Sequence, residues 1–159
     1  MRETLIHQRV AAAERGENPT VICRMQSGYL VMSDKQMPRG WCILLCAPVV
    51  ADLDDLDERR RAAFLSDMGT VGVVLKQITG AYRINYSILG NTDPALHAHI
   101  QPRFLDEPEV LRKQPLWAIW DQLKIVPFDR ERDAALMSAI RDSLAALGRC
   151  AQTPTKDRG

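Results

Sequence analysis

Apolar residues recur along this chain in two periods, and the switches between them outline its elements. Alternation with a period of two marks strands, and a repeat near 3.6 marks helices. Residues 3–15 read as a short helix stopped by Gly16 and Pro19. Residues 20–24 and 29–32 follow as two strands around a Ser27-Gly28 turn. Pro38-Arg39-Gly40 marks another turn. Residues 41–46 are almost wholly apolar, which predicts a central strand buried on both faces. An acidic stretch, residues 52–57, leads into the clearest helix. There Phe64, Met68, Val71, Leu75 and Ile78 recur at spacings of four and three, on one face. Lys76 suits the negative end of the helix dipole, and Gly80 is a natural stop. Gly69 and Gly72 predict close packing of that helix on a sheet.

Residues 81–89 alternate again, with Tyr82, Ile84, Tyr86 and Ile88 on one face. Arg83, Asn85 and Ser87 take the other. A polar turn over residues 90–94 precedes a further strand, residues 96–104. Residues 106–128 hold three prolines and two tryptophans and read as an irregular covering segment. Trp117 and Trp120 are expected to form a satellite core cluster there. The last helix opens near Asp129 with a stripe of Leu136, Ile140, Leu144 and Leu147, and Gly148 ends it. Strands, one long helix, then more strands predict an α+β fold with a largely antiparallel sheet.

At 159 residues the chain suits one domain, placed at residues 1–150, with a frayed tail over 151–159. A formal net charge of +1 gives no global pull toward nucleic acid or an anionic membrane, so any anion must be held locally. The four cysteines, at 23, 42, 46 and 150, form no Cys-x-x-Cys pair and read as reduced, mostly buried thiols. The first fifteen residues lack the apolar core of a signal peptide, and no apolar run is long enough to span a bilayer. A cytoplasmic protein is the expectation.

The chemistry concentrates on one strand. His97 and His99 are two of only three histidines, and one residue separates them. In an extended strand such side chains share a face, with Gln101 and Arg103 beside them. Two imidazoles there can share a phosphate or a metal. The turn Gly90-Asn91-Thr92-Asp93-Pro94 supplies small and polar groups just upstream. A metal reading needs a third ligand, with His7 or Asp93 as the recruits. Arg103 could clamp a phosphate, but it reads rather as a structural brace of the sheet edge or of a dimer.

The segment from Arg83 to Arg103, with its Asn85, Gly90-Asn91-Thr92 and Ala95-x-His97-x-His99-x-x-Pro102-Arg103, resembles the histidine-triad (HIT) superfamily. The motif match is specific over about twenty residues, and the order of elements matches from residue 20 to 104. Ala95 stands where the pattern has its first histidine, and Pro38-Arg39-Gly40-Trp41 replaces a Pro-Gly-His step. An alternative register would use His97, His99 and Gln101, with His99 as nucleophile. The Pro102-Arg103 step favours the first.

The resemblance implies a HIT-like fold, with a mainly antiparallel sheet of about five strands, one long packed helix and a C-terminal helix. It implies a homodimer and a nucleotide substrate, with no cofactor and no nucleic-acid polymer as partner. His97 would attack the α-phosphorus of a nucleoside phosphate and His99 would assist. Asn85, Asn91, Thr92 and Gln101 would contact substrate, and a backbone carbonyl would orient His97 in place of the missing histidine. The activity implied is a hydrolase or nucleotidyltransferase working on dinucleoside polyphosphates or phosphoramidates. A non-catalytic nucleotide-binding protein, with Ala95 marking lost turnover, and a metal-dependent enzyme using the His-x-His pair are the alternatives.

Overall fold

The computed structural model describes residues 3–151; residues 152–159, most of the expected tail, lie outside the described residues. Five strands form one sheet: β1 (Val21–Arg24), β2 (Gly28–Met32), β3 (Cys42–Cys46), β4 (Arg83–Ser87) and β5 (His97–Arg103). All neighbours are antiparallel, in the order β1-β2-β3-β5-β4. Four helices accompany them: α1 (Leu5–Glu14), α2 (Glu58–Thr79), the single turn α3 (Glu109–Arg112) and α4 (Arg130–Ala146). The α+β class and the five-strand sheet are as expected.

The central strand β3 is buried at every position, so its two parities feed two separate cores. Cys42, Leu44 and Cys46 join Phe64, Val71 and Leu75 of α2 and Leu136, Ile140 and Leu144 of α4. Ile43 and Leu45 join Ile6 and Val10 of α1 on the opposite face. Each fully buried aliphatic or aromatic side chain contributes roughly 1.5–3 kcal/mol, so the larger α2/α4 core carries most of the stability. Asp57 caps α2 through its carboxylate on the Arg60 N–H, and Gly80 closes it with φ of +72°. A Cβ on Gly72 would lie 1.9 Å from the Tyr86 hydroxyl, so this glycine is what lets α2 meet β4. Gly69 has open space instead, so the close approach expected there does not occur.

One other expectation changes. Leu147 is 58% exposed rather than part of the stripe, because α4 ends at Ala146 and the chain turns away at Gly148. Cys150 packs against the core in its place. Asp67 sits on the apolar face of α2 and is completely buried. Its carboxylate accepts from the Ser27 N–H (2.9 Å) and hydroxyl (2.7 Å), which pins the β1–β2 turn to the helix. The four cysteines are free.

Residues 104–128 form a strap that crosses the sheet end and returns to α4. It is built from α3 and two single turns, Leu116–Ala118 and Trp120–Gln122. Its far end zips onto residues 34–36, where Gln36 N–H donates to Val126 O and Phe128 N–H to Asp34 O, each at 2.7 Å. Its middle, through Leu116, Trp117 and Trp120, borders the cavity that α1 also lines, described next.

Candidate active site

Strand β5 sends alternate side chains to the two sheet faces. Ala98 and Ile100 enter the α2 core, while His97, His99, Gln101 and Arg103 face the other way. His97 lies opposite Leu45, and His99 lies between Ile43 of β3 and Ser87 of β4. Both rings border a cavity of about 560 Å³. Its floor is the sheet, one wall is α1 through Leu5, Ile6 and Arg9, and the opposite wall is the strap.

Hydrogen bonds give the two imidazoles opposite roles. His97 is 9% exposed, and its Nδ1 lies 2.7 Å from the carbonyl oxygen of Ala95. A carbonyl can only accept, so Nδ1 carries the hydrogen and Nε2 of the neutral ring holds a free lone pair. The residue that replaces the pattern's first histidine thus orients the second one through its backbone. His99 is held the other way. The Trp41 indole N–H donates to its Nδ1 at 3.2 Å, so the hydrogen of neutral His99 sits on Nε2. The ring centroids are 5.0 Å apart with planes at 82°. One ring offers an electron pair and its neighbour offers a donor.

Burial lowers the His99 pKa from 6.5 to about 4, and the neighbouring His97 adds to that depression. His99 is therefore neutral at pH 7. Because the folded value lies below the unfolded one, its neutral form contributes stability that is complete above pH 6.5 and drains as pH falls toward 4. We expect nitrogen-detected NMR to show His99 protonated on Nε2 alone from pH 6 to 8, gaining its second proton near pH 4. Trp41→Phe should remove that tautomer preference. A His99 midpoint at or above the ordinary 6.5 would contradict the assignment.

Of the residues expected from sequence, the cavity brings together His97, His99, Thr92 and Gln101. Asn85 lies opposite Gln101 on β4 but outside the lining, because its side-chain oxygen accepts from Arg103 Nη1 at 3.0 Å. Asn91 is exposed and also outside the lining, at the tip of the turn. Asp93 lines the cavity and accepts the Ile6 N–H at 3.1 Å, tying the turn before β5 to the start of α1. Arg9 of α1 pairs with Asp34, and Lys35 lies 4.2 Å above the Trp120 ring.

Sequence reasoning missed Ser33, Trp41, Ser87 and the α1 residues. Ser87 was legible in principle, since it shares the parity of Asn85 and lies two residues nearer the turn. Trp41 shares parity with Ile43 and Leu45, but only the β3–β5 pairing reveals that this parity faces the histidines. The satellite-core expectation holds for Trp120, which packs against the small core beneath α1, and is corrected for Trp117. Trp117 is 68% exposed and both it and Trp120 line the cavity, because Leu116 and Ile119 take the buried positions of that segment. Among the described residues no three His, Cys, Asp or Glu side chains group to hold a metal ion. His7 is turned to the Thr4 hydroxyl at 3.0 Å, away from the role of third ligand.

No protein-family model matches the chain. No curated protein matches its sequence. Solved structures do match. A histidine triad protein from Sinorhizobium meliloti is 25% identical over 81% of this chain and 93% of its own, with a TM-score of 0.66. One from Bradyrhizobium japonicum is 24% identical over 77% and 87%, at 0.67. One from Marinobacter aquaeolei is 20% identical over 92% and 99%, at 0.70.

Proposed function

We propose, from this chain's membership of the histidine-triad (HIT) superfamily, that it is a nucleotide hydrolase or nucleotidyltransferase working through a nucleotidyl-histidine. The observation that carries this reading is the pair of complementary tautomers at His97 and His99. The lone pair on His97 Nε2 attacks the α-phosphorus of a bound nucleoside phosphate. The new N–P bond forms as the bond to the leaving group breaks, and that group departs with the bonding electrons, an amine taking its proton from solvent. His99 Nε2–H donates a hydrogen bond to a non-bridging oxygen, where negative charge gathers in the transition state. As a neutral imidazole it would have to become imidazolate to give up a proton, so it acts as a donor and not as the acid. Water then attacks the same phosphorus and loses a proton to solvent, and His97 leaves as a neutral imidazole with the electron pair of the N–P bond. Gln101 and Thr92 supply further polar groups at the cavity.

The opposite tautomer at His99 disfavours it as the nucleophile, since its cavity-side nitrogen has no free pair when neutral. The test is intact-protein mass spectrometry after brief mixing with an adenosine 5′-phosphoramidate. A mass gain of one adenylyl group, lost in acid and kept in base, supports the covalent path. Tight nucleotide binding with no adduct and no turnover over hours would instead support the non-catalytic reading.

A homodimer is part of the same proposal. Strand β4 is an edge of the sheet with one side unpaired, and Tyr86 on it and Val73 of α2 beside it are exposed. An open edge flanked by apolar groups is a template for a second strand. Sedimentation at micromolar concentration should return twice the chain mass. A monomer at that concentration would remove the dimer from the proposal. No helix among the described residues is long and apolar enough to cross a membrane.

A further inference from the structure

All three tryptophans of the chain, Trp41, Trp117 and Trp120, line the one cavity that holds the histidines. Two of them are engaged. Trp41 donates to His99 and meets the Trp120 ring edge-on at 5.7 Å, and Trp120 carries the Lys35 ammonium over its face. Trp117 makes no ring stacking or cation contact among the described residues. Yet it is not loose. It sits in the single turn Leu116–Ala118, between Leu116 and Ile119, which are 2% and 1% exposed. The strap ahead of it is fixed by Arg103, which donates to the carbonyl oxygens of Leu111 (3.0 Å) and Gln114 (2.7 Å). A rigid segment thus holds an uncovered indole at the cavity wall.

The charge in the cavity points the same way. Its two cations, Arg9 and Lys35, are matched in number by Asp34 and Asp93; Arg9 pairs with Asp34, and Lys35 lies over the Trp120 ring. A substrate with one phosphoryl centre and a planar ring would find an apolar wall.

Resting on the nucleotide reading above, we infer that Trp117 is the specificity-determining residue of this site, a stacking platform for a planar aromatic ring of the substrate. The ring belongs either to the nucleobase or to the leaving group, and the chemistry of recognition is the same. Stacking of a base on an aromatic side chain is worth about 1–3 kcal/mol, or roughly five- to 150-fold in affinity.

The test uses His97→Ala protein, so that binding is read without turnover, with and without Trp117→Ala. Calorimetry compares three probes: the tryptamine and propylamine amidates of adenosine 5′-phosphate, and the propylamine amidate of ribose 5-phosphate. Losses of at least about fivefold for both adenosine probes, with the ribose probe within about twofold, assign the platform to the base. The same loss for the tryptamine probe alone assigns it to the leaving group. Trp117→Phe should restore most of the affinity in either case. Equal losses for all three probes, or none above about twofold, would overturn the inference. Failure of the covalent path is read separately, as absence of the adduct in the unmodified protein.

Discussion

Alanine at His97 is expected to abolish the acid-labile adduct and to lower kcat by at least about 10⁴-fold, as losses of catalytic nucleophiles do. Alanine at His99 is expected to cost less, about 10²–10³-fold, the usual effect of removing one donor to a developing oxyanion. The adduct should still form in that variant, more slowly. The ordering follows from the hydrogen bonds. Ala95 O fixes the His97 hydrogen on Nδ1 and leaves the electron pair on Nε2. Trp41 does the reverse at His99. If His99→Ala loses the adduct and His97→Ala keeps it, the register is inverted and the roles assigned here fail. The measurement is rapid-quench labelling followed by intact mass, alongside steady-state rates. Circular dichroism checks that each variant remains folded.

In the proposed reading, the same hydrogen bond stands in for the first histidine of the pattern. An imidazole at position 95 would orient its neighbour with a side chain. Here a backbone oxygen does so, and Ala95 itself is buried in the small core beneath α1. Backbone carbonyls carry no sequence signature, so this could be anticipated only as a possibility from the strand's geometry. The strands, the long helix and the histidine face were legible because period-two and period-3.6 patterns report burial directly. What the pattern hid depends on contacts between distant segments. Asp67 falls three residues after Phe64 and four before Val71, squarely on the apolar stripe, so its burial was readable. Its partner Ser27, forty residues away, was not. Trp117 was misjudged for a related reason. Hydrophobicity alone cannot tell a core residue from one lining a cavity, and Leu116 and Ile119 filled the core instead.

Arg103 is the site where loss of one side chain is expected to cost the most stability. It is 1% exposed, yet every guanidinium nitrogen is used. Nε and Nη2 grip the Glu107 carboxylate at 2.9 and 2.7 Å, Nη1 reaches Asn85 and Gln114 O, and Nη2 also reaches Leu111 O. One buried cation therefore joins β5, β4 and the strap. Arg103→Leu removes the charge and leaves Glu107, the Asn85 side-chain oxygen and two backbone carbonyls without their donor. Breaking a buried pair in this way costs about 3–5 kcal/mol, against about 0–1 for an exposed one. At roughly 2–4 °C per kcal/mol for a chain of this size, Tm should fall by about 10 °C. Arg103→Lys keeps the charge but loses the two-pronged grip, so it should fall between the two. The decisive feature is where the damage goes. Hydrogen exchange should rise first at Leu111 to Trp120, and nucleotide affinity should drop with it, because the wall that carries Trp117 is no longer held. A variant that lost global stability while the strap kept its protection would show that Arg103 braces the sheet alone.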